Sequence, residues 1–84
     1  MMASDDWLEI RQLFDLSERE SKVAQLLFMG WNRIGIAQAL KKKDGTRLSP
    51  ETVRVYIDRL FVKLNVNSNS QMVQRILRVK WHAQ

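Results

Sequence analysis

The chain has 84 residues, which is enough for one small domain with one modest core. It contains no cysteine and a single histidine, His82, so a disulfide framework and a thiolate metal site are excluded and no metal site is predicted. The formal net charge is +5 and is unevenly divided. Residues 1–20 hold six acids and two arginines (−4), whereas residues 21–84 hold twelve Lys/Arg and three acids (+9). This division favours nucleic acid as the partner, the alternative being an ordinary soluble basic surface.

Several classes of protein are disfavoured by the rest of the composition. No apolar run has the length of a membrane span or a signal sequence, so a soluble, cytoplasmic protein without a membrane partner is expected. No serine has a plausible histidine base, no Asp/Glu/His cluster has metal-ligand spacing, and no glycine-rich phosphate loop is present. The sequence therefore predicts a protein that is not an enzyme and needs no cofactor. Three glycines and one proline favour helices over strands.

Two helices are predicted before residue 31. The first covers residues 5–14, with acids in its first turn that suit the helix dipole and one apolar side made of Trp7, Ile10, Leu13 and Phe14. The second begins after Ser17, because Ser17 and Glu20 have the spacing of a capping box. Gly30 ends this helix, at a position where a positive φ is needed.

A third helix and a polar loop follow. Asn32 can cap the helix, whose inward residues are predicted to be Ile36, Ala37 and Leu40. The loop, residues 41–47, reads KKKDGTR and contains the turn signal Asp44-Gly45.

The fourth helix, at residues 50–64, carries the clearest start signal in the chain. Ser49 is a good N-cap, and Pro50 suits the first helical position because its φ is fixed. The helix is predicted to end near Asn65, and its apolar residues fall at helical spacing on one side: Val53, Ile57, Leu60 and Leu64. A short helix, a turn and a capped helix predict a helix-turn-helix, whose second helix usually enters the DNA major groove.

The side of the fourth helix opposite that stripe is predicted to face outward. Arginine can read guanine with two hydrogen bonds and valine can pack on a thymine methyl group, so this side suits a DNA reader. Its residues are Glu51, Val55, Asp58, Arg59 and Val62, with Arg54 and Lys63 at the flanks. The alternative is that these charged side chains are ordinary solvated residues.

A last helix is predicted over residues 70–81. Its apolar residues cover more than one side, so one side should pack on the domain and the surplus suggests contact with a second copy. The residues predicted for this dimer interface are Met72, Ile76 and Val79.

Four segments together resemble the LuxR/FixJ/GerE-type helix-turn-helix family. They are LSERESKVAQLLFMG at 16–30, IAQAL at 36–40, SPETVRVYI at 49–57 and KLNVNS at 63–68. Region 4 of sigma factors shares the first part, but a K-L-x-V segment followed by another helix favours the LuxR type. The resemblance implies an all-α fold: a four-helix DNA-binding domain at 16–84, preceded by a short acidic helical extension at 1–15.

The resemblance also implies roles for individual residues. Arg54 and Val55 would lie in the groove, Thr52 near the phosphates and Lys63 near the DNA backbone, while the last helix would form a dimer. The chain differs from the family pattern at Asp58, where a basic residue is usual, and at Val62, where a polar or basic residue is usual.

Two further differences lie in loops. Asn67 and Asn69 stand where the family often has arginine, and Asn67 is expected to bond phosphate without adding charge. The 41–47 loop is about six residues longer than usual, and its cations are expected to contact phosphates from outside the usual footprint: Lys41, Lys42, Lys43 and Arg47. The alternative is that this loop is only exposed and flexible.

Two functions remain on the sequence alone. The first is a DNA-binding transcriptional regulator, encoded by a bacterium, phage or plasmid, that reads double-stranded DNA with the helix at 50–64 as a homodimer. The second is a protein-binding modulator that uses the same scaffold to engage another transcription factor. The acidic and apolar outward residues of the fourth helix motivate the second function: Glu51, Val55, Asp58 and Val62.

Overall fold

The computed structural model describes residues 2–40 and 45–81, which fold into five α-helices. The all-α prediction is therefore confirmed, and the helix bounds differ from the predicted ones by about one residue. Within these two ranges, no helix is long and apolar enough to cross a membrane. The helices in chain order are α1 (Ser4–Leu13), α2 (Glu18–Phe28), α3 (Arg33–Ala39), α4 (Pro50–Leu64) and α5 (Asn69–Trp81).

The three predicted N-caps are confirmed. Ser17 Oγ accepts the Glu20 N–H at 3.1 Å, and the Glu20 carboxylate accepts the Ser17 N–H at 2.8 Å, which completes the capping box. The amide oxygen of Asn32 accepts the N–H three residues on at 2.8 Å, and Ser49 Oγ does the same at 3.1 Å. Each bond satisfies a backbone donor that the first helical turn leaves without an intrahelical partner.

Left-handed residues end two of the helices at the predicted positions. Gly30 follows α2 with φ 96°, a conformation that costs glycine little because it has no Cβ. Asn65 follows α4 with φ 57° and ψ 50°, and its N–H bonds back to the last turn. Asparagine tolerates this conformation better than most residues, so the chain can turn sharply from α4 into α5.

The core is built around α4, which packs against α2 and α3. Val53, Leu60 and Leu64 are completely buried, as their helical spacing predicts, and Ile57 is half-buried. α2 contributes Val23, Ala24 and Leu27 to the same cluster, and α3 contributes Ile36 and Ala37. This packing fixes which side of α4 remains open to solvent.

The N-terminal helix α1 belongs to the same core. Ile10 is completely buried in the central cluster, and the Trp7 ring meets Phe28 of α2 edge to face at 5.4 Å. The prediction that Leu13 shares the buried side was wrong, since its side chain is 62% exposed. Leu13 is turned by about 60° from Ile10 around the helix, away from the side that Trp7, Ile10 and Phe14 turn inward.

The C-terminal helix α5 buries two of the three residues that were predicted to lie at a dimer interface. Met72 and Ile76 are completely buried in the core of the same protomer, so they offer no exposed surface to a second copy in this structure, and the dimer interface stays a prediction. Val79 is half-buried against the core. The sequence shows that α5 has surplus apolar residues, but it does not show that two of them fill the space beneath α2 and α4.

Two ion pairs tie the end of α5 to α1. Lys80 Nζ lies 2.8 Å from Asp6 Oδ1 and 2.7 Å from Glu9 Oε2. The hydrogen bonds that Lys80 donates to Asp6 and to Glu9 raise the pKa of Lys80, and the bond to Asp6 lowers the pKa of the Asp6 carboxyl. The acidic character of α1 is thus partly neutralised by the basic end of the chain.

Candidate nucleic-acid interface

A backbone hydrogen bond spans the connection between α3 and α4, the two helices of the helix-turn-helix. Leu48 is buried, and its N–H donates to the Leu40 carbonyl at 3.4 Å, which draws the two ends of the connection together. Arg47, the cation predicted to contact phosphate at this end, is exposed. The lysines predicted to act with it, at 41–43, lie outside the described residues.

The first turn of α4 is held by its cap. Ser49 Oγ lies 3.0 Å from the Thr52 hydroxyl in addition to accepting the Thr52 N–H. Thr52 is half-buried, and its hydroxyl is already engaged with the cap. Because a hydroxyl can donate one bond and accept others, Thr52 keeps capacity for a second polar contact.

The predicted outward side of α4 is exposed along its whole length. Arg54, Asp58 and Arg59 are exposed, and so is Glu51 in the first turn. Two valines share this surface, Val55 at 46% and Val62 at 79% exposure. The surface therefore combines two guanidinium groups, two carboxylates and two apolar side chains that have no packing role in the core.

Lys63 is exposed on α4 with 36% of its side-chain surface open, and its amino group also makes contacts within the protein. Its Nζ donates to Glu20 Oε1 at 2.7 Å and to the Asp15 carbonyl at 2.8 Å, so Lys63 has an internal role, and the contact with the DNA backbone stays a prediction. Asp15 has φ 55° at the turn between α1 and α2. Lys63 thus fixes the last turn of α4 against the start of α2.

The electrostatics of Glu20 follow from this contact. The carboxylate is buried, and desolvation, the largest single influence, raises its pKa. The hydrogen bonds from Lys63 and from the Ser17 N–H, together with the charge of Lys63, outweigh that influence. The pKa of Glu20 therefore lies below its ordinary value, and the ion pair is formed at neutral pH.

The loop between α4 and α5 carries Asn67, for which a phosphate contact was predicted. Its side chain is exposed, and its backbone N–H donates to Gln71 Oε1 at 2.7 Å. Ser68 Oγ accepts the Gln71 N–H at 3.2 Å and so caps the start of α5. These two bonds hold the loop close to the first turn of α5.

Exposed apolar side chains lie at the start of α3, beside Gly35. A Cβ at Gly35 would lie 3.3 Å from Trp31 Cε3, so the indole ring occupies the space beside this glycine. Trp31 is 41% exposed and Ile34 is 53% exposed. The glycine thus accommodates a tryptophan that covers the first turn of α3.

Sequence reasoning missed two features of this region. The contact between Lys63 and Glu20 joins residues 43 positions apart, and only the capping box at Ser17 indicated where the Glu20 carboxylate would lie. The second feature is a cluster on α5 around Arg75 and Arg78, beside the end of α4. Arginines at 75 and 78 share one side of a helix, but no residue pattern linked them to Asn65.

A capped helix with an open polar side, set against a short scaffold helix, defines a helix-turn-helix DNA-binding domain. The sequence model of one family, described as bacterial regulatory proteins of the luxR family (GerE), matches residues 15–76. The chain therefore belongs to the luxR family of bacterial regulatory proteins, a class of DNA-binding transcription regulators and not of enzymes. The match covers α2, α3, α4 and the first part of α5, and it leaves out α1.

No curated protein and no solved structure matches the chain.

Proposed function

We propose that this protein is a sequence-specific transcription regulator that places α4 in the major groove of duplex DNA and acts as a homodimer. The observation that carries the proposal is the open side of α4, where Arg54 and Arg59 are exposed beside Val55. Family membership and the basic body of the chain support it.

The proposed contacts divide into two kinds. Arg54, Val55 and Arg59 read base edges, because guanidinium groups and methyl groups match features that differ between base pairs. Phosphates are bound around them by Thr52 and Asn67 and by the cations that follow α3, namely Lys41, Lys42, Lys43 and Arg47. Such contacts fix the position of the protein on DNA without reading sequence.

Asp58 has a specific effect in this arrangement. A carboxylate in the middle of the reading surface repels phosphate unless it accepts a hydrogen bond from a cytosine amino group. Asp58 therefore weakens non-specific binding more than binding to a site with cytosine at the matching position. The proposed result is a reader with modest general affinity for DNA and a sequence preference at its centre.

Selection from a random duplex pool at near-physiological salt tests the proposal directly. Enriched sites are expected, and Arg54→Ala should weaken binding to them by about 1–3 kcal/mol and relax the preference at one position. Lys22→Ala is the matched control for loss of one positive charge, because Lys22 is exposed on α2 and is not among the proposed contacts. Failure to enrich any site, or equal losses for the two variants, would contradict the proposal.

A second candidate function is supported by Val62. A side chain of this size at 79% exposure sits in an apolar depression whose rim is charged, lined by Glu20, Asp58, Arg59, Val62 and Lys63. Hydrophobic centres with polar rims are typical of protein interfaces. The chain would then be a protein-binding modulator that engages another transcription factor through α4.

Asp58→Lys separates the two functions. If α4 reads DNA, the added cation should raise general DNA affinity and steepen its salt dependence. If α4 binds a protein, reversal of charge within a desolvated contact should cost several kcal/mol, and a co-purifying partner should be lost. The variant is measured in parallel for duplex binding and for partners retained from the source cell.

A further inference from the structure

The elbow between α4 and α5 forms a polar notch that the contacts described above do not use. Its volume is about 190 Å³. The end of α4 supplies one wall and one side of α5 supplies the other, and the lining residues are Asn65, Val66, Gln71, Gln74, Arg75 and Arg78. None of these lining residues is acidic.

Arg75 carries an unsatisfied donor in this notch. Its Nε is buried and has no hydrogen-bond partner. No other buried side-chain nitrogen or oxygen in residues 2–40 and 45–81 lacks one. A buried polar group without a partner costs about 1–3 kcal/mol, so such a group calls for an explanation. This nitrogen has almost no exposed surface, so an acceptor in the notch would remove the cost once the Arg75 side chain turns its Nε–H toward it.

The other groups of the notch favour an acceptor with negative charge. Arg78 adds a second guanidinium one turn along α5, and Gln71 and Gln74 add side-chain amide groups. The Gln71 amide is oriented by the bond that its oxygen accepts from the Asn67 N–H. Two guanidinium forks and amide donors without a nearby carboxylate match the several oxygens of a phosphate group.

We propose that the Arg75–Arg78 notch binds a phosphate group, supplied by the DNA backbone when α4 occupies the groove. The source of the phosphate rests on the proposed function. Its support is continuity: Asn65 and Val66 line the notch and directly precede Asn67, the predicted phosphate contact. The notch thus extends the footprint from the end of α4 onto α5.

The first test uses inorganic phosphate and the whole protein. With ionic strength held constant by chloride, phosphate should shift the Arg75 Nε–Hε resonance saturably, and Arg75→Gln should abolish the response of the neighbouring Arg78 signal. Lys22→Gln, which removes the same charge from the outer side of α2, should leave the response unchanged. No saturable shift overturns the site, and an equal response to acetate overturns the choice of phosphate.

The second test identifies the source. On a selected duplex, Arg75→Gln should lower the slope of log affinity against log salt by about 0.9, the value for one lost phosphate contact, with sequence preference retained. An unchanged slope beside a positive phosphate titration overturns the DNA backbone as source. If the parent selects no duplex, the proposed function fails, while the phosphate titration still decides the site. Arg78→Gln, at an exposed position, replaces Arg75→Gln if the latter does not fold.

Discussion

Single side chains decide how α4 is held before it meets any partner. Lys63 is charged, lies near the end of the helix and belongs to a basic protein, yet it points inward to Glu20 and the Asp15 carbonyl. A cation in this position stabilises a buried carboxylate that would otherwise be costly to desolvate. Lys63 therefore helps to fix the orientation of α4 on α2, whether or not it also contacts DNA.

Lys63→Met should lower the free energy of unfolding by about 1–3 kcal/mol, because it leaves the buried Glu20 carboxylate without its cation. Urea denaturation at neutral pH measures this change. In the double variant with Glu20→Gln, the loss should be smaller than the sum of the single losses, because the unpaired charge is gone. Additive losses would show that the pair contributes no coupling energy.

The pH dependence of stability should carry the same signature. Since the pKa of Glu20 is lowered in the folded state, its contribution is present above the unfolded value of about 4.3 and is lost as pH falls through the folded pKa. Lys63→Met should raise the Glu20 pKa, because desolvation then acts without the opposing bond. The NMR chemical shift of the Glu20 carboxyl, followed against pH in the parent and in the Lys63→Met variant, measures this change. An unchanged Glu20 pKa would contradict the role assigned to Lys63.

At the scale of elements, α1 packs into the same core as the other helices, although the family match begins at residue 15. The separation into an extension at 1–15 and a domain at 16–84 followed from the resemblance. In the structure, Ile10 fills the central cluster and Lys80 of α5 reaches the acids of α1. We propose that α1 and the domain unfold as one cooperative unit.

Ile10→Ala should cost about 2–5 kcal/mol, the usual range for an isoleucine removed from a packed core. Leu8→Ala is the matched control on the same helix, since Leu8 is 50% exposed, and it should change stability by less than about 0.5 kcal/mol. Thermal and urea unfolding followed by far-UV circular dichroism give both values. Similar small effects for the two variants would mean that α1 is dispensable for the fold.

At the scale of the whole molecule, burial within the protomer limits how a dimer can form. Met72 and Ile76 lie in the core. Among the described side chains of α5, Leu77 is the large apolar one that remains exposed, with 38% of its surface open. This leaves little apolar area for contact, whereas stable interfaces usually bury about 1,200–2,000 Å² in total. The proposed homodimer should therefore depend on DNA to bring two copies together.

Sedimentation should show a monomer at micromolar concentration without DNA and two copies on a pseudo-palindromic duplex whose half-sites lie about 34 Å apart. Leu77→Glu should remove the second copy at equal protein concentration. Leu8→Glu is the control, because it introduces the same charge at an exposed apolar position on α1. This variant should still bind the duplex as two copies. A stable dimer in the absence of DNA, or a single copy on every duplex, would contradict this assembly.

The sequence by itself determined the features that depend on neighbours a few residues apart. The caps at Ser17, Asn32 and Ser49, the left-handed Gly30 and Asn65, and the open side of α4 all follow from local spacing, because helix ends are satisfied by groups within one turn. Only the tertiary structure decided the partner of Lys63, the burial of Met72 and Ile76, and the notch at Arg75. Those outcomes depend on which distant surfaces share a restricted volume, and the periodicity of one helix contains no information about the helix that will cover it.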